Sequence, residues 1–364
     1  MRIQSVIRTI DVMHSAKRPL MIWGPPGVGK SAAVREVCMN HLGPKYGAPG
    51  GRVLEHGDKH ENPKACIGLH DVRLSQCDPV DIGGLPAREG STMVRLCPDW
   101  FPAEDRDDLP DYGILFLDEI VSASRSVQAA AYQISLDRVC AGKRMKAGWS
   151  VAMAGNRLGD GGVVNPMPSP LANRLVHVDH ESNAEDWDDW ALGANMPLDL
   201  VAFIRARPNL LNTFEDFVGK KQDGHTFASE RSWHIVGDTV NAGVLPEELE
   251  FEVFEGTVGK GPAIEYLAFR QVWGEMPDIN EILINPDSAP VPEKSDARMA
   301  VATALASKAK PENMDAVVTY YGRMPAEFSV LGVKDVARHN RDCLKTKAFV
   351  QWSKDHSELL GSAN

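Results

Sequence analysis

Gly24-Pro25-Pro26-Gly27-Val28-Gly29-Lys30-Ser31 decides the reading of this chain. The stretch fits G-x-x-x-x-G-K-[ST], and its flanks are those the pattern requires. Before it, Pro19-Leu20-Met21-Ile22-Trp23 is an apolar run of strand length. After it, Ala33, Val34, Val37, Cys38 and Leu42 recur at helical spacing, and Gly43-Pro44 is expected to end that helix. A glycine-rich turn between a buried strand and a helix lets successive backbone N–H groups face a phosphate, with the helix N-terminus behind them. ATP and Mg2+ are therefore the expected cofactors. Gly24, Pro25, Pro26, Gly27, Val28 and Gly29 are read as the cradle, with Ala32 at its helical end. Lys30 is expected to reach the β and γ phosphates, and the Ser31 hydroxyl to ligate magnesium.

Outward from this loop the pattern repeats. Ile3, Val6, Ile7, Ile10 and Met13 share a helical face ahead of the first strand. A second apolar strand, Ile114 to Leu117, ends in Asp118-Glu119. Carboxylates at the end of a buried strand are costly unless a cation or hydrogen bonds compensate them. Asp118 is accordingly read as a magnesium partner acting through water, and Glu119 as the general base that polarises the attacking water. A helix is expected from about Ser124 to Arg138, then a third strand, Val151 to Ala154, leading into Gly155-Asn156-Arg157. At the carboxyl end of such a strand the Asn156 amide is placed to orient the water. Strands alternating with helices give an α/β fold with a parallel sheet.

The stretch from Gly43 to Tyr112, rich in Gly, Pro and Asp, is too long for one connection, so an insertion is expected over about 43–110. It is expected to be dispensable for the chemistry and to engage a protein partner or transmit nucleotide state to it, with Leu74 and Leu85 as the side chains to test; the alternative is that it pads an interface between subunits. After Val178 the pattern turns helical, around 183–212, 229–243 and 262–273, then past a Pro-rich linker at 284–292 around 295–310, 312–321 and 346–360. Three parts are expected: an α/β core over 1–180, a helical part over 181–285, and a helical extension over 286–364.

Of the 364 residues 43% are hydrophobic, enough to bury a core of more than one domain. Lys plus Arg number 39 against 50 for Asp plus Glu, and the net charge of -11 disfavours nucleic acid and anionic lipid as partners. No apolar run is long enough to span a bilayer, and Met1 to Pro19 lacks a signal-peptide core, so a cytoplasmic location is expected. The six cysteines are scattered without a C-x-x-C pair, which reads as reduced thiols. His56, His60, Cys66, His70 and Cys77 fit no zinc spacing and read as a polar loop with a few packed side chains. Glu185 to Trp190 reads as an acidic helix start rather than a docking patch. Lys143, Arg144 and Lys146, on a predicted hairpin, read either as solvated charge or as a contact to DNA.

Taken together, these motifs resemble the AAA+ ATPase superfamily. In Ser169-Pro170-Leu171-Ala172-Asn173-Arg174, Arg174 matches the arginine finger that completes a neighbouring subunit's site, and the resemblance thereby implies a ring. Val72 to Pro86 is similar to the helix-2 insertion of MoxR-type ATPases, a dynein-related subgroup, and Leu136 to Trp149 looks like the hairpin before its sensor asparagine. Asp186-Trp187, Phe203-Ile204 with Arg207-Pro208, and Ser229-Glu230-Arg231-Ser232-Trp233 resemble bacterial and phage MoxR-like proteins. That likeness makes 181–285 a lid and puts Arg231 at its nucleotide sensor, although Glu230 stands where the family pattern has Pro. It also implies a hexamer, and a von Willebrand factor A domain protein or another protein client as partner. Two other readings remain open on the motifs alone: a nucleic-acid-linked motor, and a scaffold that uses ATP to set its assembly.

Overall fold

The computed structural model describes residues 1–48, 52–157, 160, 165–219 and 226–356. They divide into two compact units, one built on Met1–Asn183 and the other on Ala184–Phe217 and the chain beyond 225.

The first unit opens with α1 (Ile3–Ala16), whose Val6, Ile7 and Ile10 are buried as their spacing predicts, and β1 (Leu20–Trp23). The helix after the phosphate loop differs from expectation. It runs as α2 (Lys30–Glu36), widens into a π-turn over Val37–Leu42 and continues as α3 (Gly43–Lys45), so Gly43-Pro44 does not end it. The wider turn keeps Ala33, Val34, Val37, Cys38 and Leu42 all buried against the sheet. Next come β2 (Val53–Glu55), β3 (Ile67–Arg73), α4 (Pro79–Gly83) and a hairpin of β4 (Leu85–Glu89) and β5 (Thr92–Leu96). The unit closes with β6 (Tyr112–Asp118), α5 (Arg125–Asp137), a small hairpin of β7 (Val139–Cys140) and β8 (Lys143–Arg144), β9 (Gly148–Gly155), α6 (Ser169–Ala172) and β10 (Val176–Asp179).

Six strands form one parallel sheet in the order β10-β1-β9-β6-β3-β2. The fold class is therefore the expected α/β. Successive residues of each strand bury opposite faces: Leu20, Ile22, Ile114, Phe116 and Ala154 pack under α1 and α2, while Met21, Leu115, Leu117, Val151 and Met153 pack under α5. The stretch read as one insertion is divided, because β2 and β3 belong to the sheet, and the segment from Leu74 to Asp111 follows them outside it. Leu74 is fully buried in the α5-side core, so its expected role in meeting a partner is corrected; Leu85 is 58% exposed. Lys146 is likewise no surface charge. It is buried, and its ammonium donates to the Leu109 carbonyl at 3.3 Å and to Asp111 at 3.2 Å.

Two glycines make room for one tryptophan. A Cβ on Gly68 would lie 2.2 Å from the Trp149 ring, and one on Gly113, its cross-strand partner, 2.9 Å from it. The indole, fully buried, donates Nε1–H to the Pro110 carbonyl at 2.9 Å. Of the His/Cys group read as a polar loop, His70 is fully buried against Trp149 and hydrogen-bonded through Nδ1 to the Trp100 carbonyl at 2.5 Å.

Burial pulls the His70 imidazole down to about 4, and burial with the nearby Lys17 ammonium pulls His14 down to about 3. Both are neutral in the folded unit, and both must charge as the chain unfolds in acid. Their stabilising effect is complete above the unfolded value of about 6.5 and is lost as pH falls from there toward those lowered values. Urea midpoints should fall steadily between about pH 6.5 and 4.5, and a His14→Gln, His70→Gln variant should show a shallower fall over that window.

The second unit is helical: α7 (Ala184–Gly193), α8 (Leu198–Ala206), α9 (Phe214–Gly219), α10 (Glu230–Ala242), α11 (Glu247–Val258), α12 (Lys260–Gly274), α13 (Ile279–Ile284), α14 (Ser295–Ser307), α15 (Met314–Tyr321), α16 (Ala326–His339) and α17 (Lys347–Asp355). Ser229 caps α10 by accepting from the Ser232 N–H, and Glu185 and Asp186 lie in the first turn of α7, as their composition suggests. Helices from the segments expected as lid and as extension are joined by a buried ion network. Arg205 donates to Asp188 at 2.6 and 3.0 Å, to Thr303 at 3.0 Å and to both carboxylate oxygens of Asp335, linking α7, α8, α14 and α16. Such a network holds only while every member is present, since one orphaned buried charge costs several kcal/mol. Among the described residues no helix is long and apolar enough to cross a membrane.

Candidate active site

The strand register brings the site together. β1 lies between β10 and β9, and β9 between β1 and β6, with Trp23 opposite Gly155 and Leu117 opposite Met153. The residues that follow these strands, namely the phosphate loop after β1, Asp118-Glu119 at the end of β6 and Asn156 after β9, therefore emerge along one carboxyl edge.

Within the loop, Gly27 and Gly29 adopt φ of 84° and 89°, a left-handed backbone that disfavours a side chain. No heavy atom lies within 4 Å of a Cβ built on Gly29, so conformation rather than space requires glycine there. The loop is tied down at two points. The Gly24 N–H donates to the Gly155 carbonyl at 3.3 Å, and His180 Nε2 is 2.8 Å from the Val28 carbonyl oxygen. A Cβ on Gly24 would stand 2.6 Å from the His180 carbonyl oxygen, so residue 24 must be small.

Lys30 donates through Nζ to the Gly24 carbonyl at 2.7 Å, to the Pro25 carbonyl at 2.8 Å and to Asn156 Oδ1 at 3.1 Å. The Ser31 hydroxyl donates to Asp118 Oδ2 at 3.1 Å. Lys30, Ser31, Asp118 and Asn156, predicted from three separate stretches of sequence, thus form two linked pairs at one place. A hydroxyl and a carboxylate in contact are the hard oxygen donors that magnesium takes, so the residues present fit the ion. On β3, burial and the neighbouring Asp118 carboxylate push the Asp71 carboxyl up to about 6. A bound cation would draw it back down.

Glu119 is held in an unusual conformation. Its φ of 57° is left-handed, a region in which a non-glycine residue is strained by about 1–2 kcal/mol. Its N–H donates to Asp118 Oδ1 at 2.8 Å, and its own carboxylate accepts from the Ser75 hydroxyl. That contact ties the segment before β6, expected to be dispensable for the chemistry, to Glu119. Ser75 and His180 are the site residues that the sequence reading missed. Nothing local distinguishes either, since each acts only through a residue distant in the chain.

Ser75 holds the Glu119 carboxylate, so replacing it tests whether Glu119 takes part in turnover. Ser75→Ala should lower turnover by about fivefold, the worth of one hydrogen bond of about 1 kcal/mol. Ser75→Thr should restore turnover.

Arg174 is not a partner in these pairs, and Arg231 belongs to the other unit. Arg174 is exposed after α6, its guanidinium 5.3 Å from the Tyr132 ring centroid. Arg231 is exposed on the first turn of α10, in the second unit.

No family model matches the chain, and no curated protein matches it. Similar solved structures include a candidate ATPase from Cytophaga hutchinsonii, 11% identical, TM-score 0.32, over 90% of this chain and 79% of that one. They also include NtrX from Brucella abortus, 13% identical, TM-score 0.37, over 94% of this chain and 67% of that one. The same protein in complex with ADP is 17% identical, TM-score 0.33, over 94% and 68%. Likenesses at these scores carry no argument about this chain, whose fold and site stand on their own geometry.

Proposed function

We propose that this chain is a magnesium-dependent ATPase of the AAA+ type that works as a ring on a protein partner. The observation that carries the reading is the meeting of Lys30 with Asn156, and of Ser31 with Asp118, beside a strained Glu119. Phosphate chemistry explains each of these at once. The loop N–H groups and Lys30 Nζ bind the phosphates and counter their charge. Ser31 and Asp118 would hold magnesium, which when bound supplies Lewis-acid polarisation of the phosphoryl oxygens. Glu119 takes the proton of the attacking water on its carboxylate, Ser75 holds that carboxylate in place, and the Asn156 amide orients the water.

The ring rests on Arg174, an exposed guanidinium that would act on a neighbour's γ-phosphate. The MoxR-like likeness of Val72 to Pro86 and of Ser229 to Trp233 supports a remodelling role, with Arg231 as a nucleotide sensor. That likeness also suggests a hexamer and a von Willebrand factor A domain partner. Net charge of -11 weighs against nucleic acid as the client.

Phosphate release by the full chain in ATP and Mg2+ tests the reading. EDTA should lower it by about 100-fold or more, and added Mg2+ should restore it, since Ser31 and Asp118 offer the phosphates no charge neutralisation by themselves. A rate no higher than that of Glu119→Gln would overturn the proposal.

A further inference from the structure

His180, the residue after β10, grips the phosphate loop at both ends. Its N–H donates to the Trp23 carbonyl at 2.7 Å, so its backbone is fixed to the strand that feeds the loop. Its own carbonyl oxygen stands 2.6 Å from the place a Cβ on Gly24 would take. The ring is 3% exposed, with Nδ1 3.2 Å from the Met1 carbonyl oxygen and Nε2 2.8 Å from the Val28 carbonyl oxygen. A carbonyl oxygen only accepts, so the closer contact puts a hydrogen on Nε2.

That contact fixes the orientation of one peptide. In a trans peptide the C=O and the following N–H point in opposite directions. With the Val28 oxygen held on the buried ring, the Gly29 N–H points away from it, and it takes no backbone acceptor among the described residues. Residue 29 does not itself enforce this arrangement. Its φ of 89° becomes, on a half-turn of the Val28–Gly29 peptide, a negative angle that glycine adopts as readily, and the space around its Cα is open. The turned peptide would present a carbonyl oxygen where the loop now presents a donor. To a bound anion the first is repulsive and the second attractive.

We propose that His180 is a positioning residue for phosphate: by holding the Val28 carbonyl it keeps the Gly29 N–H turned toward the anion and so sets the affinity of the loop. The inference rests on the nucleotide reading and adds to it a group 152 positions from the residue it holds. The ring acts through the peptide, and its partners are carbonyl oxygens of the chain.

Two substitutions divide the ring nitrogens between them, because a Gln amide nitrogen reaches the place of Nε2 and an Asn amide nitrogen that of Nδ1. In the full chain, His180→Asn should weaken ATP binding in calorimetric titration by about tenfold and raise KM to match, while kcat falls by no more than about twofold, since the loss is of ground-state binding. His180→Gln should bring the affinity back to within about twofold of the native chain. A merely structural role would lower the melting temperature and the affinity of both variants alike. Equal weakening in both, or native affinity in both, would therefore overturn the proposal while ATP binding by the native chain upholds the nucleotide reading. No binding by the native chain would overturn that reading, and this inference with it. Should neither variant fold, NMR of the 15N-labelled histidine rings in the native chain decides: a His180 Nε2 proton protected from exchange is expected, and a bare Nε2 would remove the bond to Val28 and the proposal.

Discussion

Lys30→Ala should lose measurable ATP affinity, while Glu119→Gln should bind ATP as the native chain does and hydrolyse it about 100-fold or more slowly, the usual loss for a general base. In the proposed ATPase the two residues would differ in when they act. Lys30 is held over the loop by the Gly24 and Pro25 carbonyls and touches Asn156; there it would meet phosphate in the ground state, so losing it would remove binding itself. Glu119 is strained at φ 57° and bonded to Ser75; its proposed chemistry concerns water, which would matter only in the reaction. Calorimetric titration with ATP separates the two effects: equal loss of binding in both variants would remove Glu119 from the role of base and make it a ground-state ligand. The left-handed backbone adds a check. Glu119→Gly, which relieves the strain, should stabilise the unit or leave it unchanged while abolishing turnover, since the backbone gains freedom but the carboxylate is gone.

Arg174→Ala should abolish hydrolysis with little loss of nucleotide binding, by the factor of about 10³ or more that an arginine finger supplies in related phosphoryl transfers. The guanidinium is exposed and rests against Tyr132 rather than against Lys30, Asp118 or Glu119. It is thus available to a second copy. Mixing Arg174→Ala with Lys30→Ala subunits should then restore part of the activity, because some interfaces pair an intact arginine with an intact phosphate loop. Verified mixed rings with no recovered hydrolysis would place Arg174 outside the reaction. Light scattering should show the assembly growing with ATP, since a residue that reaches a neighbour's γ-phosphate links nucleotide to the interface.

The phosphate loop, its flanking strand and helix, and the acidic end of β6 were legible in the chain because each is a local property. Glycine at positive φ, an apolar run of strand length and a carboxylate at its end are written in consecutive residues. β2 and β3 were not legible. Gly68, His70 and Asp71 break the apolar pattern of Ile67–Arg73, and each is acceptable in a central strand only through a distant partner: Gly68 gives way to Trp149, and the Trp100 carbonyl satisfies His70. The π-turn at Val37–Leu42 is decided by packing too, since only the sheet beneath it rewards keeping five apolar residues on one side.

The reach of each determinant divides what the sequence determined by itself from what tertiary structure alone decided. Backbone conformation and hydrophobic period act over a few residues, so the α/β class, the nucleotide loop and most helices of the second unit follow from the sequence as it stands. Sheet order, the contact between Ser75 and Glu119, the seat of Val28 on His180 and the burial of Lys146 join residues tens to more than a hundred positions apart. Such contacts exist only once the core has closed, when burial makes an unpaired polar group costly and thereby selects, among many residues able to form a bond, the one that lies within reach.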